Sequence, residues 1–471
     1  MSTQQQEGSA ISGGTMAELR EAVRGTVLAA GDAGYEEAAP IWNGMFDTTR
    51  PAVIVKCAGA ADVVRAVTTA RSEGLEIAVR SGAHSIPGFS TVDGGMVIDL
   101  SGMRGVRVDP AARRAVVQPG LLWQDFDAEA QAFGLATTGG LVSTTGVAGF
   151  TLGGGIGWLV RKQGLACDHL IGADVVCADG RVVHAGEHAD RELLWGLRGG
   201  GGNFGVVTEM EFALQPVGPL VVGGPVFFAG ERAPEIAAFF AEWTASGLPD
   251  ELTTILNFTT APPVPFLPES VHGKPIVAVV ACFAGGAAAA DEALAPLKAI
   301  ADPVADLCGP IPYVALQSLL DPLFGRGMRN HMKAGYLADF SGGARDAMLA
   351  GWAAKPSPNS ELHVHHMGGA AARIGRETAA FAHRDAPYVV NLISRWADPG
   401  QDAEQIAWGR DVYASLEEHT TGGAYINFLS DEGPERVRAA YGDEGYTRLQ
   451  ALKRRHDPDN VFHRNQNIRP G

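Results

Sequence analysis

Three glycine-rich segments and a short histidine cluster hold the residues whose types and spacing could do chemistry. Arg80-Ser81-Gly82-Ala83-His84-Ser85 directly follows an apolar, strand-like run. Successive small residues there let backbone N–H groups converge into an anion nest suited to a pyrophosphate. The same text fits a tight turn that carries a surface histidine. The segment 146–157 has six glycines in twelve positions, too many for a good helix or strand. Its interleaved Val, Phe, Leu and Ile set it apart from a polar linker, and such bare backbone can approach a large flat ligand closely. In the third segment, Gly200, Gly202 and Gly205 match G-x-G-x-x-G. A helix-like 192–197 precedes them and a strand-like 206–214 follows. A Rossmann site needs the reverse order, strand then glycines then helix, so that reading is rejected. His363, His365 and His366 lie close together, and His363 and His365 share one face of a predicted strand. That face could be a metal site, a pocket wall or a plain half-exposed surface. No nearby Asp or Cys completes a zinc set, and no metal is expected.

The elements that must position these residues are legible from periodicity. Ala60, Val63, Val64, Val67 and Ala70 recur at helical spacing and predict a helix over 59–74. Short strands are expected at 76–80 and 96–100, a hairpin from 106–108 and 115–118, and an amphipathic helix over 121–133. Asp179-Gly180, between strands 175–177 and 182–184, reads as a type I′ hairpin turn. From about Gly218 the pattern changes. Strand-like runs at 276–283, 361–366 and 388–393 alternate with Ala-rich helices at 234–245, 287–300 and 402–418. This is the pattern of an α+β layer with helices on one face of a sheet.

Composition narrows the class. The chain has 471 residues, 46% hydrophobic and 19% charged, which is ordinary globular composition. A formal charge of −16 with no basic run excludes nucleic acid and anionic membrane surfaces as natural partners. The five cysteines are scattered and odd in number, which argues for buried thiols rather than a disulfide framework. The first fifteen residues are polar, with neither a basic n-region nor an apolar h-region, and no apolar run spans a bilayer. A cytoplasmic location is the expectation.

Taken together, the loops resemble the FAD-binding domain shared by vanillyl-alcohol oxidase, p-cresol methylhydroxylase (PCMH) and the berberine bridge enzyme-like oxidoreductases. The similarity begins near Trp42-Asn43 and 51–55. It runs through 80–85, 146–157, Arg161-Lys162-Gln163-Gly164-Leu165-Ala166 and 199–205. Beyond Tyr425-Ile426-Asn427-Phe428 it closes on Asp457-Pro458-Asp459-Asn460-Val461-Phe462. The last block points to the berberine bridge enzyme-like branch.

The resemblance implies an α+β, two-domain fold of the PCMH type. An FAD domain would span 1–217, a substrate domain 218–417 would cover the flavin with an antiparallel sheet, and 418–471 would return to the FAD domain. Arg80, Ser81, Gly82, Ala83 and Ser85 would cradle the pyrophosphate, and His84 would bond covalently to the flavin 8α-methyl. Pro119, Gly120, Leu141, Val142, Thr145 and Gly146 are further cofactor positions. So are Gly149, Phe150, Gly153, Gly154, Gly205 and Val207, with Asn427 and Asn460 from the last segment. Relatives that carry a second link place a cysteine where this chain has Val142, so one link is expected. Three residues on, where oxygen-using relatives often carry valine, stands Thr145, which leans toward oxygen access. Phe150 replaces a histidine, and Ala83 a glycine whose loss matters only if φ there is positive.

In relatives the Y-x-N face looks at flavin and substrate. Tyr425 and Asn427 would share one face of a strand, with Tyr425 as a base if its pKa falls well below about 10 and Asn427 orienting substrate. His363 and His365 are candidate substrate contacts. The implied activity is an FAD oxidase of alcohols, hemiacetals, amines or phenolic metabolites that releases peroxide from molecular oxygen. A dehydrogenase with another acceptor and a silent flavin-binding protein are the alternatives.

Overall fold

The structure is a computed structural model that describes residues 11–471; most of the polar leading segment lies outside the described residues. The first half opens with a four-stranded sheet in the order Thr26–Leu28, Val53–Lys56, Met96–Asp99, Ile77–Arg80. The last three strands are mutually parallel and nearly all apolar, as strands covered on both faces must be. Helix Ala60–Ser72 crosses between two of them and buries Val63, Val67 and Ala70 of the periodic set, together with Ala66, while Ala60 and Val64 stay partly exposed. A five-stranded antiparallel sheet follows, in the order Val106–Asp109, Arg114–Val117, Val206–Ala213, Leu170–Val176, Val182–Gly186.

The turn at Asp179-Gly180 is not type I′. Only Gly180 has positive φ, and its N–H donates to the Cys177 carbonyl. A type I′ turn needs both central residues left-handed, so this is a type I turn closed by a glycine bulge.

Residues 220–396 build a larger, eight-stranded sheet. Helices Ala233–Ala245, Ala287–Lys298, Gly342–Ala353 and Asp402–Leu416 supply the core on one of its faces. The pleat then assigns every residue of strand Glu361–His366 by parity. Leu362 and Val364 enter the helix-covered core, while Glu361, His363 and His365 face the first half of the molecule.

The helical segment Pro434–His456, kinked at Gly442 (φ 68°), lies back against the five-stranded sheet, burying Val437, Tyr441, Leu449 and Leu452 in its core. Its last turn is locked by buried Lys453, whose ammonium donates to Asp457 and to the carbonyls of Asn203 and Phe462. The Asp457 carboxylate also accepts the N–H groups of Val461 and Phe462, which explains the Asp457-Pro458-Asp459-Asn460-Val461-Phe462 block as a self-capped turn. All five cysteines are buried and free. Among the described residues no helix is long and apolar enough to cross a membrane.

Candidate functional site

A cavity of about 380 Å³ runs between the glycine loops and the inner face of the large sheet. Strand Ile77–Arg80 delivers the first loop to it. The buried Arg80 guanidinium turns backward, donating to the carbonyls of Ala38 and Ser90 and lying 3.6 Å from Asp99. It braces the loop from behind and does not line the cavity. Ser81, Gly82, Ala83, His84 and Ser85 do. Among the described residues nothing accepts the backbone N–H of Gly82, Ala83, His84 or Ser85. Free consecutive donors passing through a left-handed residue make an anion nest. That residue is Ala83, at φ 61°. The condition under which the missing glycine matters is therefore met, at a cost of about 1–2 kcal/mol for the side chain.

His84 opens toward the cavity and is enclosed by protein elsewhere. Its ring stacks on Trp42 at 5.0 Å and 18°, and its Nε2 lies 3.0 Å from Thr144 Oγ1. Burial, reinforced by the charge of Arg326, pushes its pKa down to about 4. The imidazole is therefore neutral at pH 7 and keeps a nucleophilic lone pair.

The second glycine segment contains a short helix, Val147–Leu152, which its composition argued against; the buried Val147, Ala148 and Leu152 hold it by packing. Gly153 must be bare, because a Cβ there would collide with the Asn427 amide. That amide donates to the Phe150 carbonyl and to Tyr425 Oη, both at 2.9 Å. The carbonyl can only accept, which fixes the amide orientation. Tyr425 Oη also receives the N–H groups of Gly155 and Ile156, at 2.9 and 3.1 Å. Burial raises the Tyr425 pKa to about 12, against the lowering effect of these three donors. The depressed pKa expected of a base is not what the fold provides. Nor do Tyr425 and Asn427 share a strand: Tyr425 is extended and Ile426–Phe428 is a single 3-10 turn. Both still line the cavity, joined by their own hydrogen bond.

The facing wall is the large sheet. Asn257, His363 and Asn391 stand in register on three adjacent strands, with Ile255, His365 and Val389 as the next row. His363, His365 and Asn391 are at most 6% exposed and line the cavity. Burial makes a half-exposed histidine strand untenable. Burial, then the neighbouring His363, drives the His365 pKa well below its ordinary value. Among the described residues nothing bonds to His365 Nε2 or Asn391 Oδ1, and no cluster of three or more metal-ligating side chains occurs.

Of the remaining expected positions, Leu141, Val142, Thr145, Gly146, Gly149, Phe150, Gly205 and Val207 line the cavity. Pro119, Gly120 and Gly154 do not; they support the loops from behind, Pro119 by accepting the Ser81 hydroxyl. Asn460 lies at φ 52° in the turn after Asp457, outside the cavity, and Phe462, Arg464, Asn465 and Gln466 line it instead. A donor nest, bare backbone beside it and a returning segment closing the same space fit FAD: the nest for its pyrophosphate, the glycine loops for its flat ring.

The comparisons agree. A family described as FAD binding domain matches residues 51–186, and one described as berberine and berberine like matches 424–469. (R)-6-hydroxynicotine oxidase of Paenarthrobacter nicotinovorans is 33% identical over 95% of this chain and 97% of its own. The chain belongs to the berberine bridge enzyme-like FAD-linked oxidoreductases. A second FAD-linked oxidoreductase, from Dictyostelium discoideum, is 30% identical over 96% of each chain. The crystal structure of 6-hydroxy-D-nicotine oxidase from Arthrobacter nicotinovorans matches with a TM-score of 0.85 and 30% identity, over 95% of this chain and 98% of that one.

Several cavity residues of this FAD-linked oxidoreductase escape a reading of sequence alone. Met332, Asn391 and Ile393 come from two strands of the large sheet, and Thr144, which does not line the cavity, reaches His84 from a separate segment. Of these only Asn391 carried a signal, an amide inside the apolar run Val389–Ile393.

Proposed function

We propose that this FAD-linked oxidoreductase is an oxidase that holds its flavin through one covalent bond to His84 and oxidises a small, ring-bearing alcohol or amine, with oxygen as electron acceptor. The observation that carries the reading is His84: a neutral imidazole, fixed by Trp42 and Thr144, in the same cavity as the polar row of the sheet. FAD supplies the hydride acceptor, and the protein supplies position, proton handling and access.

Val142 occupies the position of a second link with a hydrocarbon side chain, which supports a single bond. Thr145 lines the cavity with a small side chain, which supports oxygen access over a dehydrogenase. The substrate end is walled by Trp42, Leu320, Phe324, Met332, Ile393 and Phe428. Such walls favour an apolar ring over an oligosaccharide, which needs a dense set of polar partners. Relatives named for oxidation of 6-hydroxynicotine and aclacinomycin, 33% and 31% identical, act on ring-bearing compounds.

The test has two parts. Acid-precipitated protein should stay yellow, and His84→Ala should release all flavin to the supernatant; flavin that remains attached in the variant refutes the link. A panel of aryl alcohols and cyclic amines should bleach the flavin anaerobically, and readmitted air should restore it with stoichiometric peroxide. Bleaching without reoxidation by air assigns the protein as a dehydrogenase. No bleaching by any compound leaves a binding protein.

A further inference from the structure

Oxidation of an alcohol or amine removes a hydride and a proton, and the proton needs a base. The geometry points to His363 as that base and to Glu361 as the residue that positions it. This rests on the oxidase reading but concerns a different group.

Glu361 and His363 are alternate residues of one strand, so the pleat turns both toward the cavity side. The Glu361 carboxylate is 4% exposed, accepts the Asn257 amide at 2.9 Å and lies 3.3 Å from His363 Nε2. Burial works to raise its pKa, but His363, Asn257 and Arg395 outweigh it and keep the pKa below the usual carboxylate value. Glu361 is therefore anionic; Nε2 makes no hydrogen bond at that 3.3 Å approach, but the adjacent anion favours the proton on that nitrogen. Nδ1 is left as the acceptor. This is the division of labour by which a carboxylate orients a histidine base and stabilises the imidazolium it becomes.

The other groups near the pair do not compete. His365 is kept neutral by its own burial. Arg395 and Lys355 act on Glu361 and reinforce its negative charge. Tyr425 is occupied as an acceptor of three hydrogen bonds. Asn391, in register with His363 on the next strand, has an unpartnered Oδ1 and supplies the second contact to a substrate donor.

The substrate O–H or N–H bond breaks, its proton goes to His363 Nδ1, and the bonding pair stays on the heteroatom. The neighbouring C–H bond would break with its electron pair leaving as hydride, which bound FAD would accept, and the heteroatom pair would close the new carbonyl or imine bond. The imidazolium later returns the proton to solvent.

The test uses the FAD-loaded protein with 4-nitrophenol, an apolar ring with one acidic O–H whose anion alone is yellow. Difference spectra against probe-free protein read its ionisation directly, without turnover. The wild type should bind it as the anion at a pH about 1–2 units below the free probe's own transition, the range of a nearby favourable partner. His363→Gln should abolish the shift. Glu361→Gln should remove most of it, and Glu361→Asp should restore part, which a merely structural role would not do. Flavin absorbance and thermal melting confirm that each variant is folded. A wild type that fails to bind the probe or holds it protonated, or a His363→Gln variant that shifts it equally, overturns the assignment. With a substrate that bleaches the wild type, His363→Gln should slow bleaching about 10²–10⁴-fold. Equal rates reject the base and leave the oxidase reading intact. A His363-dependent probe shift without bleaching by any compound rejects the oxidase and leaves the pair.

Discussion

Replacing Tyr425 by Phe removes one oxygen and nothing else, and its consequence can be worked from the hydrogen bonds. Three donors lose their acceptor: Gly155 N–H, Ile156 N–H and one hydrogen of the Asn427 amide. The amide keeps its bond to the Phe150 carbonyl, so its loss is partial. The two backbone donors are the larger cost, because a buried N–H left unsatisfied costs about 1–3 kcal/mol. The sum is about 2–6 kcal/mol, nearer the lower figure because the adjoining cavity lets water reach the loop. Tyr425→Phe should therefore destabilise the protein by about 2–4 kcal/mol and loosen the 153–156 loop against the cofactor. The assay is a urea titration with flavin fluorescence in a His84→Ala background, where FAD is retained only by contacts. Weaker FAD retention, with the pH profile of flavin bleaching unchanged in the His84-containing protein, is the expected result. Unchanged stability and FAD retention, with bleaching slowed about 10²–10⁴-fold, would show Tyr425 to be a base and refute the reasoning.

Three other perturbations follow from the same contacts. Ala83→Gly relieves a left-handed alanine and should stabilise the protein by about 1 kcal/mol after the entropy cost of glycine, read as a higher urea midpoint; a lower midpoint contradicts the strain. Lys453→Met strands the buried Asp457 carboxylate and should cost about 3–5 kcal/mol, with loss of FAD because the segment after Asp457 lines the cavity; full cofactor occupancy at an unchanged melting temperature rules this out. His331 and His366 have pKa values lowered by burial to about 4 and about 3. The folded state binds these protons less well than the unfolded one. Stability should therefore be complete above pH about 6.5 and fall as the pH drops toward 4. His331→Gln should flatten that fall, and a slope equal to wild type removes His331 from the account.

Local pattern carried much of this protein. The helical spacing of Val63, Val67 and Ala70 and the alternation in Glu361–His366 are short-range properties, and the fold obeys both. The glycine loops were visible because bare backbone has few structural uses, and they resembled a known FAD-binding framework as a set. What local pattern could not give was the direction of individual polar groups. Ala83 could be judged harmless or strained only once its φ was fixed by its neighbours. Asp179-Gly180 announced a turn, but only the backbone dihedrals, with positive φ at Gly180 and not at Asp179, fixed its type.

The sequence alone, then, determined most of the strands and helices, though not the helix Val147–Leu152 or the 3-10 turn at Ile426–Phe428, and it determined which face of the substrate strand is polar and that the glycine loops suit a flavin-sized ligand. These follow from periodicity and from side chains that are absent, both readable within a few residues. Tertiary structure decided which polar groups meet. Tyr425 became a clasp because Gly155 and Ile156, some 270 residues earlier, aim their N–H groups at it. His363 gained an oriented nitrogen because Asn257, on a neighbouring strand 104 residues before Glu361, holds the carboxylate beside it. Proton affinity depends on burial and on charges only a few ångströms away, and the folded chain alone sets those distances.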